Sequence, residues 1–307
     1  MSGRSRSVFG LLITVNYKSE CANLRLLEDL ESMNGFSSQD VVIVDNGSGE
    51  ESISTLRHKA ERLPNVQLFV SDTNQGYFGG TKFGLDRYIQ QRHQFPDWII
   101  VSNPDIAIDD PDFLLKLVSQ NWREVGVLAP RIRLKGSNID QNPFMKRRPG
   151  VLRRASLRAI YSNYPFAALW DWLSRKKRDF LRHRKAGSTK NELSRRVIYA
   201  PHGSFLIFSR RFFEAGGFLD DELFLYGEEL SVAEICRSLG LPVIFEPELQ
   251  VWHDEHATTG RTITVASYQR QKRALKHVFS RYFSGRPRIP GFTQQELNLE
   301  SLPLDAD

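Results

Sequence analysis

The stretch VVIVDNGS, residues 41–48, decides the fold, because an apolar run ends there directly in short polar residues. The stretch WIIVSNPD, residues 98–105, has the same arrangement. A short apolar run bounded by turn residues predicts a buried strand, so Asp45 and Asp105 are expected just past the carboxyl ends of two strands. In open α/β sheets, ligands bind at that edge. The two stretches therefore predict both a sheet and the position of its functional site.

Around these two stretches, apolar runs alternate with helical patterns, as in βαβ units. The alternation predicts an α/β protein with a Rossmann-like, mostly parallel central sheet flanked by helices. Strands are predicted over 9–15, 41–45, 66–70, 98–102 and 125–130, and helices over 22–33, 50–62 and 80–91.

The second half of the chain has a less regular pattern. Residues 136–196 are basic and rich in aromatic residues, and they predict an inserted, partly helical and mobile segment. The order then returns. One long or bent strand is predicted over 196–208, helices over 210–215, 229–239 and 264–283, and two short strands over 242–247 and 249–253.

The composition of the 307 residues, with 40% hydrophobic and 25% charged residues, is that of a folded soluble protein. No stretch approaches the roughly 18–20 apolar residues that span a bilayer. The start, MSGRSRSVFGLLITVNY, is basic and then apolar, but no small-residue cleavage site follows, so secretion is not expected. Cys21 and Cys236 lie far apart, and they are interpreted as thiols of a reducing compartment. The predicted location is cytoplasmic.

The positive charge is concentrated in one block. Residues 145–196 hold 16 Lys and Arg against three acids, a balance of 16 − 3 = +13, so the rest of the chain carries 6 − 13 = −7. This asymmetry indicates an anionic partner. Basic residues interleaved with Trp170, Trp172 and Phe180 fit an anionic membrane surface better than a nucleic acid, and a solvated basic loop is the third alternative.

Three groups of polar residues are candidates for the site. Asp45 suits a base or ribose, although an Asx turn that caps the next helix explains it equally well. The Gly-rich turn 72–80 precedes a helix start, where anionic groups bind. Asp105, displayed by a Pro-stiffened turn, suits a hard cation, which His253 after another apolar strand would complete; His256 is a competing candidate.

The pair Glu228-Glu229 opens a predicted helix. Acids at a helix start often only complement the helix dipole. Two adjacent glutamates point in different directions, however, so one can face a pocket while the other caps the helix. A carboxylate placed in a pocket can accept a proton from a hydroxyl group.

Taken together, these segments resemble the inverting glycosyltransferases of family 2, which have the GT-A fold, and most of all the bacterial rhamnosyltransferase-like members. The resemblance covers roughly residues 8–283. The pieces occur in the family's order: VNYKS, VVIVDNGS, NQGYFGG, WIIVSNPDI, PHGSFLIFSRRFFEAGGFLDDELFLYGEE, RSLGLPVIFEPE, VWH and SYQRQKRALKHVF.

The resemblance implies a role for each group. Glu229 would be the general base, with Glu228 beside it, and Asp105 with His253 would hold Mg²⁺ or Mn²⁺. Asn103 stands where the family's metal motif often has its first Asp, and Glu229 where it usually has Asp. The substrate-binding set implied is Thr14, Asn16, Asp45, Asn46, Asn74, Gly76, Gly79, Asn103, His202 and Gly203.

The implied reaction moves a sugar, with rhamnose as one candidate, from a dTDP or UDP donor to a hydroxyl of a lipid-linked cell-surface glycan. Its expected place is the inner face of the plasma membrane, with nucleic acid not expected as a partner. The alternatives are a catalytically impaired nucleotide-sugar-binding or scaffold protein of the same fold and a nucleotidyltransferase. The parts expected are a nucleotide-sugar-binding half (1–135), a membrane-facing basic insert (136–196), an acceptor and catalytic half (197–262), and a basic helix with an irregular tail (263–307).

Overall fold

The fold is described by a computed structural model that covers residues 9–92, 94–122, 125–137, 139–182, 193–254 and 263–284, with side chains in the insert up to residue 176. Two parts of the sequence analysis fall outside this description. His256 and the predicted tail lie outside the described ranges, and the side chains of Phe180 and the basic residues around it are not described. Within the described part, no helix combines the length and the apolar character needed to cross a bilayer.

The described strands form one mixed sheet. Their bounds are β1 Gly10–Asn16, β2 Gln39–Asn46, β3 Val66–Ser71, β4 Trp98–Ser102, β5 Ile106–Ala107, β6 Val127–Leu134, β7 Arg196–Ile198, β8 Phe205–Ser209 and β9 Val243–His253. The order across the sheet is β3-β2-β1-β4-β8-β6-β9-β5, and β7 also pairs with β9. The sheet is flanked by helices, as predicted. Their bounds are α1 Glu20–Glu31, α2 Glu50–Ala60, α3 Gly76–Arg92, α4 Phe113–Val118, α5 Val151–Ile160, α6 Tyr164–Arg182, α7 Arg210–Glu214, α8 Glu228–Leu239 and α9 Val265–Tyr282.

The prediction of a mostly parallel sheet is confirmed. The pairs β1–β2, β1–β4, β2–β3 and β6–β9 are parallel and have the long registers. Of the antiparallel pairs, β4–β8 is as long as β1–β4, and β6–β8, β5–β9 and β7–β9 are shorter. The carboxyl ends of β1, β2 and β4 therefore meet at one edge, where Asn16 pairs with Asp45 and Thr14 with Ser102.

Two of the strand predictions were wrong. Residues 196–208 form two strands, because β7 ends at Ile198 and β8 begins at Phe205, with only an isolated bridge from Ala200 to Met145 between them. Pro201 lacks the N–H that a continuing ladder needs. Conversely, the two strands predicted over 242–253 are the single strand β9, whose register against β6 shifts between Pro130 and Arg131.

The sheet separates two hydrophobic clusters. One lies under α3, α8 and α9 and includes Ile13, Val44, Phe245 and Val278. The other lies under α1, α2 and α4 and includes Leu12, Ile43 and Ile100, among others. Alternate residues of β1 and β2 enter opposite clusters, as the two-residue period of a strand requires. Both faces of the central strands are buried, which explains their continuous apolar runs.

The basic insert packs on α9 through α5 and α6. The ring of Tyr164 contacts that of Tyr268 edge-on, with centroids 5.6 Å apart. The Tyr268 hydroxyl donates to the carbonyl of Tyr161 at 3.3 Å, and Lys272 Nζ donates to the carbonyl of Ser162 at 2.6 Å. The turn between α5 and α6 is thus tied to α9.

Candidate functional site

Asp45 lies at the end of β2, opposite Asn16 on β1, and its carboxylate is fully buried. Asn16 Nδ2 donates to Asp45 Oδ2 at 2.6 Å, and the backbone N–H of Ser48 donates to Asp45 Oδ1 at 2.9 Å. The second contact is the local turn that the sequence offered as an alternative explanation. Helix α2 begins after Gly49 without a side-chain cap. The turn at Asp45 is therefore present, but this turn does not cap the helix.

A buried polar network surrounds Asn16. Its Oδ1 accepts from Asn23 Nδ2 at 2.9 Å, and Thr14 Oγ1 donates to Asn23 Oδ1 at 2.9 Å. Asn16 Nδ2 also donates to Ser52 Oγ at 2.9 Å. Thr14, Asn16 and Asp45 are therefore brought together at one strand edge. Asn23 and Ser52 complete the group; they were not predicted, since they lie on helices with no local polar motif.

Asn46 connects this edge to the Gly-rich turn. Its Nδ2 donates to Asn74 Oδ1 at 3.1 Å and to the carbonyl of Gly76 at 2.9 Å. Gly76 has φ +80°, and a Cβ placed on it would lie 2.1 Å from the carbonyl oxygen of Phe224. Only glycine fits this approach. Gly79 is buried three residues further along α3.

Asp105 and His253 meet at the other end of the site because β5 pairs with β9, with Ile106 opposite His253. Asp105 Oδ1 lies 3.3 Å from His253 Nε2, and both side chains are almost fully buried. His253 Nδ1 lies 2.7 Å from Gln141 Oε1. An amide oxygen only accepts, so the hydrogen between these two atoms is on Nδ1, and Nε2 is the ring nitrogen nearest Asp105.

His202, Gly203 and Asn103 lie beside this pair. The ring centroids of His202 and His253 are 5.7 Å apart. Burial, with a further contribution from His253, lowers the pKa of His202 to about 3, so the ring is neutral at physiological pH. The N–H of Asn103 donates to the carbonyl of Ser204 at 2.8 Å, which holds the segment after β4 against the segment before β8.

Glu228 and Glu229 begin α8 after two residues in the left-handed region, Tyr226 at φ +73° and Gly227 at φ +93°. A positive φ at a residue other than glycine is strained, and such strain is found at functional sites. Burial raises the pKa of both glutamates, and that of Glu228 is raised further by repulsion from Glu229. Glu228 is almost fully buried, whereas Glu229 is part-exposed and faces Gly203, where an added Cβ would lie 3.0 Å from Glu229 Oε1.

Tyr77, which the sequence did not single out, lies among these groups. Its hydroxyl donates to the carbonyl of Gly203 at 3.1 Å, and its N–H donates to the carbonyl of Phe224 at 2.9 Å. The pKa of Tyr77 is raised well above 10 by burial and by three nearby carboxylates, those of Glu228, Asp105 and Glu229. Carboxylates from positions far apart in the chain thus surround one tyrosine, which follows the Gly76 turn directly.

A separate cluster ties α9 to the loop before Glu228. The ligand-type atoms of Asp220, Glu222 and His277 lie within 4.8 Å of one another, as they would around a cation. However, Asp220 already accepts from His277 at 2.9 Å and from Tyr282 at 2.5 Å, and Arg281 pairs with both carboxylates. The guanidinium supplies the positive charge, so this cluster acts as a tie between elements.

The relatives that comparison with known proteins gives are enzymes that transfer sugars. No protein-family profile matches the chain. An N-acetylglucosaminyl-diphospho-decaprenol L-rhamnosyltransferase of Mycobacterium tuberculosis is 28% identical over 232 residues, which are 72% of this chain and 68% of the relative. The low-salt glycan biosynthesis hexosyltransferase Agl10 of Haloferax volcanii is 24% identical over 228 residues, 73% of this chain and 59% of the relative.

Solved structures share the fold. The mannosyltransferase PcManGT of Pyrobaculum calidifontis, in complex with GDP-Man and Mn²⁺, aligns with a TM-score of 0.51 and 16% identity over 95% of this chain and 68% of its own. GalNAc-T7 with UDP, GalNAc and Mn²⁺ aligns with a TM-score of 0.56 and 13% identity over 97% of this chain and 54% of its own. TarS of S. aureus, residues 1–349, aligns with a TM-score of 0.52 and 11% identity over 89% of this chain and 72% of its own.

The fold and the relatives define a glycosyltransferase with the GT-A fold. More narrowly, the chain is related in sequence to the rhamnosyltransferases, at 28% identity to the mycobacterial one, and is family 2-like.

Proposed function

We propose that the protein transfers a sugar, with inversion, from a nucleoside-diphosphate donor to a hydroxyl group of a lipid-linked glycan. The observation that carries this proposal is that two groups of residues lie near Tyr77. Asp105 with His253 is the first group, and Glu228 with Glu229 is the second. The Tyr77 hydroxyl contacts Gly203, which Glu229 faces. A donor diphosphate and an acceptor hydroxyl need these two kinds of group at one site.

The residues at the first group fit a hard cation. Adjacent ligands of an octahedral Mg²⁺ or Mn²⁺ lie about 3 Å apart, and Asp105 Oδ1 and His253 Nε2 are 3.3 Å apart. The Gln141 contact engages Nδ1 and would leave Nε2 as the ligand atom for the cation, as the outer partners of metal-bound histidines do. When bound, the cation would neutralise the charge that develops on the departing nucleoside diphosphate.

Glu229 is the proposed base because it is the more exposed member of the pair. Its carboxylate takes the proton of the acceptor hydroxyl while the oxygen attacks the anomeric carbon. The bond from that carbon to the diphosphate oxygen breaks at the same time, and the diphosphate leaves with the electron pair. Glu228 is buried next to it at the start of α8. Burial raises the pKa of Glu229, which makes its carboxylate a stronger base.

The names of the relatives support a nucleoside-diphosphate sugar as donor and a lipid-linked glycan as acceptor, and the resemblance to rhamnosyltransferases supports dTDP as one candidate nucleotide. GDP-Man and UDP are bound in the two structures named above, and a polyprenyl-diphosphate sugar is named for the mycobacterial relative. A dTDP- or UDP-sugar and a lipid-linked acceptor are therefore proposed here. The protein would work as a peripheral enzyme at the inner face of the plasma membrane, where such acceptors are embedded.

The test is the release of nucleoside diphosphate from UDP- and dTDP-sugars, with N-acetylglucosamine on a polyprenyl diphosphate as the acceptor probe. Glu229→Gln should lower kcat by at least about 100-fold and leave donor affinity within about twofold, since it removes only the base. Asp105→Ala should abolish the part of the UDP-induced rise in Tm that requires Mn²⁺. The exposed Glu248→Gln is the matched control and should behave as wild type.

Two outcomes would contradict the proposal. Wild-type turnover that Glu229→Gln and Asp105→Ala leave unchanged would refute the assigned roles. Binding of UDP or dTDP to the wild type without turnover of any donor would instead support the catalytically impaired binding protein.

A further inference from the structure

Helix α6 carries an exposed apolar stripe. Phe166, Leu169, Trp170 and Leu173 follow the i, i+3, i+4, i+7 spacing of one helix face. Their exposed fractions are 58%, 54%, 46% and 48%. Large apolar side chains grouped in this way on a surface indicate an interaction site, whereas single exposed ones do not.

The stripe points away from the protein. The opposite side of α6 makes the contacts with the body, through the fully buried Ala167 and through Tyr164, which packs on Tyr268. Asp171, on that same inner side, pairs with Arg175 at 2.7 Å. The helix is therefore anchored by one face and leaves the stripe uncovered within the described residues.

The surroundings of the stripe are positively charged. Arg147, Arg153 and Lys176 are exposed, and Lys176 Nζ lies 4.2 Å from the centre of the Trp172 ring. Asp171 is the one acid in residues 145–176. At the start of α5, Val151 and Leu152 are also strongly exposed. An apolar stripe with basic neighbours and interfacial tryptophans is the pattern of a helix that lies in the surface of an anionic bilayer.

The turn that joins α5 to α6 and the loop before the glutamate pair lie on the same helix, α9. Tyr268 and Lys272 of α9 hold the turn. Arg270 of α9 lies 5.2 Å from the centre of the Phe224 ring, and a Cβ placed on Gly227 would lie 3.1 Å from Val278. Helix α9 thus connects the two amphipathic helices to the loop that leads to the proposed base.

We propose that the stripe Phe166–Leu169–Trp170–Leu173, with its basic neighbours, docks the protein on an anionic lipid bilayer. Apolar side chains enter the interface, and the arginines and lysines contact lipid phosphates. Docking through this surface would bring the loop before Glu228 to a lipid-linked acceptor. The inference adds a partner surface to the proposed function, and its test uses neither donor nor acceptor, so the two can fail separately.

The experiment is co-sedimentation of the full chain with phosphatidylcholine vesicles, with and without phosphatidylglycerol. The wild type should bind only the anionic vesicles, and Leu169→Ser/Leu173→Ser should weaken this binding by at least about tenfold, because two apolar side chains no longer enter the interface. The matched control is Leu115→Ser/Val118→Ser on α4, where exposure is 49% and 42% and the neighbouring Lys116 is paired with Asp110. It should bind as the wild type does.

Three results would overturn the proposal. One is an equal loss of binding to anionic vesicles in the stripe variant and in the control variant. A second is a wild-type dimer, seen by sedimentation equilibrium, that the stripe variant converts to a monomer while neither binds vesicles. A third is binding of the wild type to single-stranded polyuridylate but not to anionic vesicles. Circular dichroism of each variant shows that the fold is retained.

Discussion

Glu228 is a carboxyl group kept out of water at the start of a helix, beside a second carboxyl group. Its Oε1 has no hydrogen-bond partner among the described residues. Burying such a group favours its neutral form, because the ionised form loses its hydration. The ionised form of Glu228 therefore destabilises the folded protein, so the free energy of unfolding depends on pH.

Glu228→Gln should remove this dependence. In the unfolded chain Glu228 ionises near 4.5, whereas in the folded protein its pKa is raised. The folded protein thus keeps a proton that the unfolded chain has lost. The free energy of unfolding therefore falls as the pH rises from about 4.5 to the raised pKa, with a slope of about 1.4 kcal/mol per pH unit. Urea titrations across this range should show a smaller fall for Glu228→Gln.

The exposed Glu248→Gln serves as its control, and the fall in that variant should equal the wild-type one. Equal falls in the wild type and in Glu228→Gln would show that Glu228 ionises normally in the folded state.

At the scale of elements, α9 holds the loop that precedes the glutamate pair. Tyr282, His277 and Arg281 on α9 all contact Asp220, which is buried. Tyr282→Phe removes one donor from this buried carboxylate and should lower the free energy of unfolding by about 1–3 kcal/mol. It should also speed amide hydrogen exchange in residues 220–227 and lower kcat more than it changes KM.

The control is Lys276→Ala, an exposed substitution on the same helix. If Tyr282→Phe and Lys276→Ala gave the same exchange rates in the loop, the tie between α9 and the loop would have no effect on its order.

Elements also show how far the sequence could be interpreted. The strands β1, β2 and β4 were predictable because both of their faces are buried and polar turn residues follow them. The break between β7 and β8 was not, since the path of the chain through Ala200 and Ser204 depends on contacts with Met145 and Asn103, which lie far away in the sequence. The continuity of β9 was hidden by Pro247.

The candidate site divides in the same way. Asp105 and Glu229 could be proposed from the sequence because each stands at a strand or helix end, which a local pattern reveals. Tyr77 and Gln141 could not be assigned, because their roles arise from contacts to Gly203 and His253 made by tertiary structure alone.

At the scale of the whole molecule, one sheet joins both halves. The ladder between β4 and β8 spans residues 98–102 and 205–209, and one hydrophobic cluster takes residues from both sides of it. A continuous core of this kind unfolds as a unit. A substitution in the second half should therefore weaken the first half by the same amount.

Val251→Ala on β9 tests this unity. Val251 is fully buried, so its truncation should lower the free energy of unfolding by about 2 kcal/mol and reduce amide-exchange protection equally in β1 and β9. Val197→Ala is the matched control, since Val197 is 67% exposed, and it should have little effect. Loss of protection confined to β9 would mean that the halves unfold separately.

The irregularity between β6 and β9 has a consequence for how this fold tolerates changes in length. Pro130 pairs with Glu246 but Arg131 with Gln250, so three residues of β9 have no counterpart on β6. Side chains alternate between the two sides of a regular strand. Phe245 before the irregularity and Val251 after it are an even number of residues apart, yet they belong to the clusters on opposite sides of the sheet. The side on which a β9 residue lies is thus set by its pairing with β6 and not by its count along the chain. Shortening 247–249 by one residue should therefore leave His253 opposite Leu134 and facing Asp105, as long as the later pairs are kept.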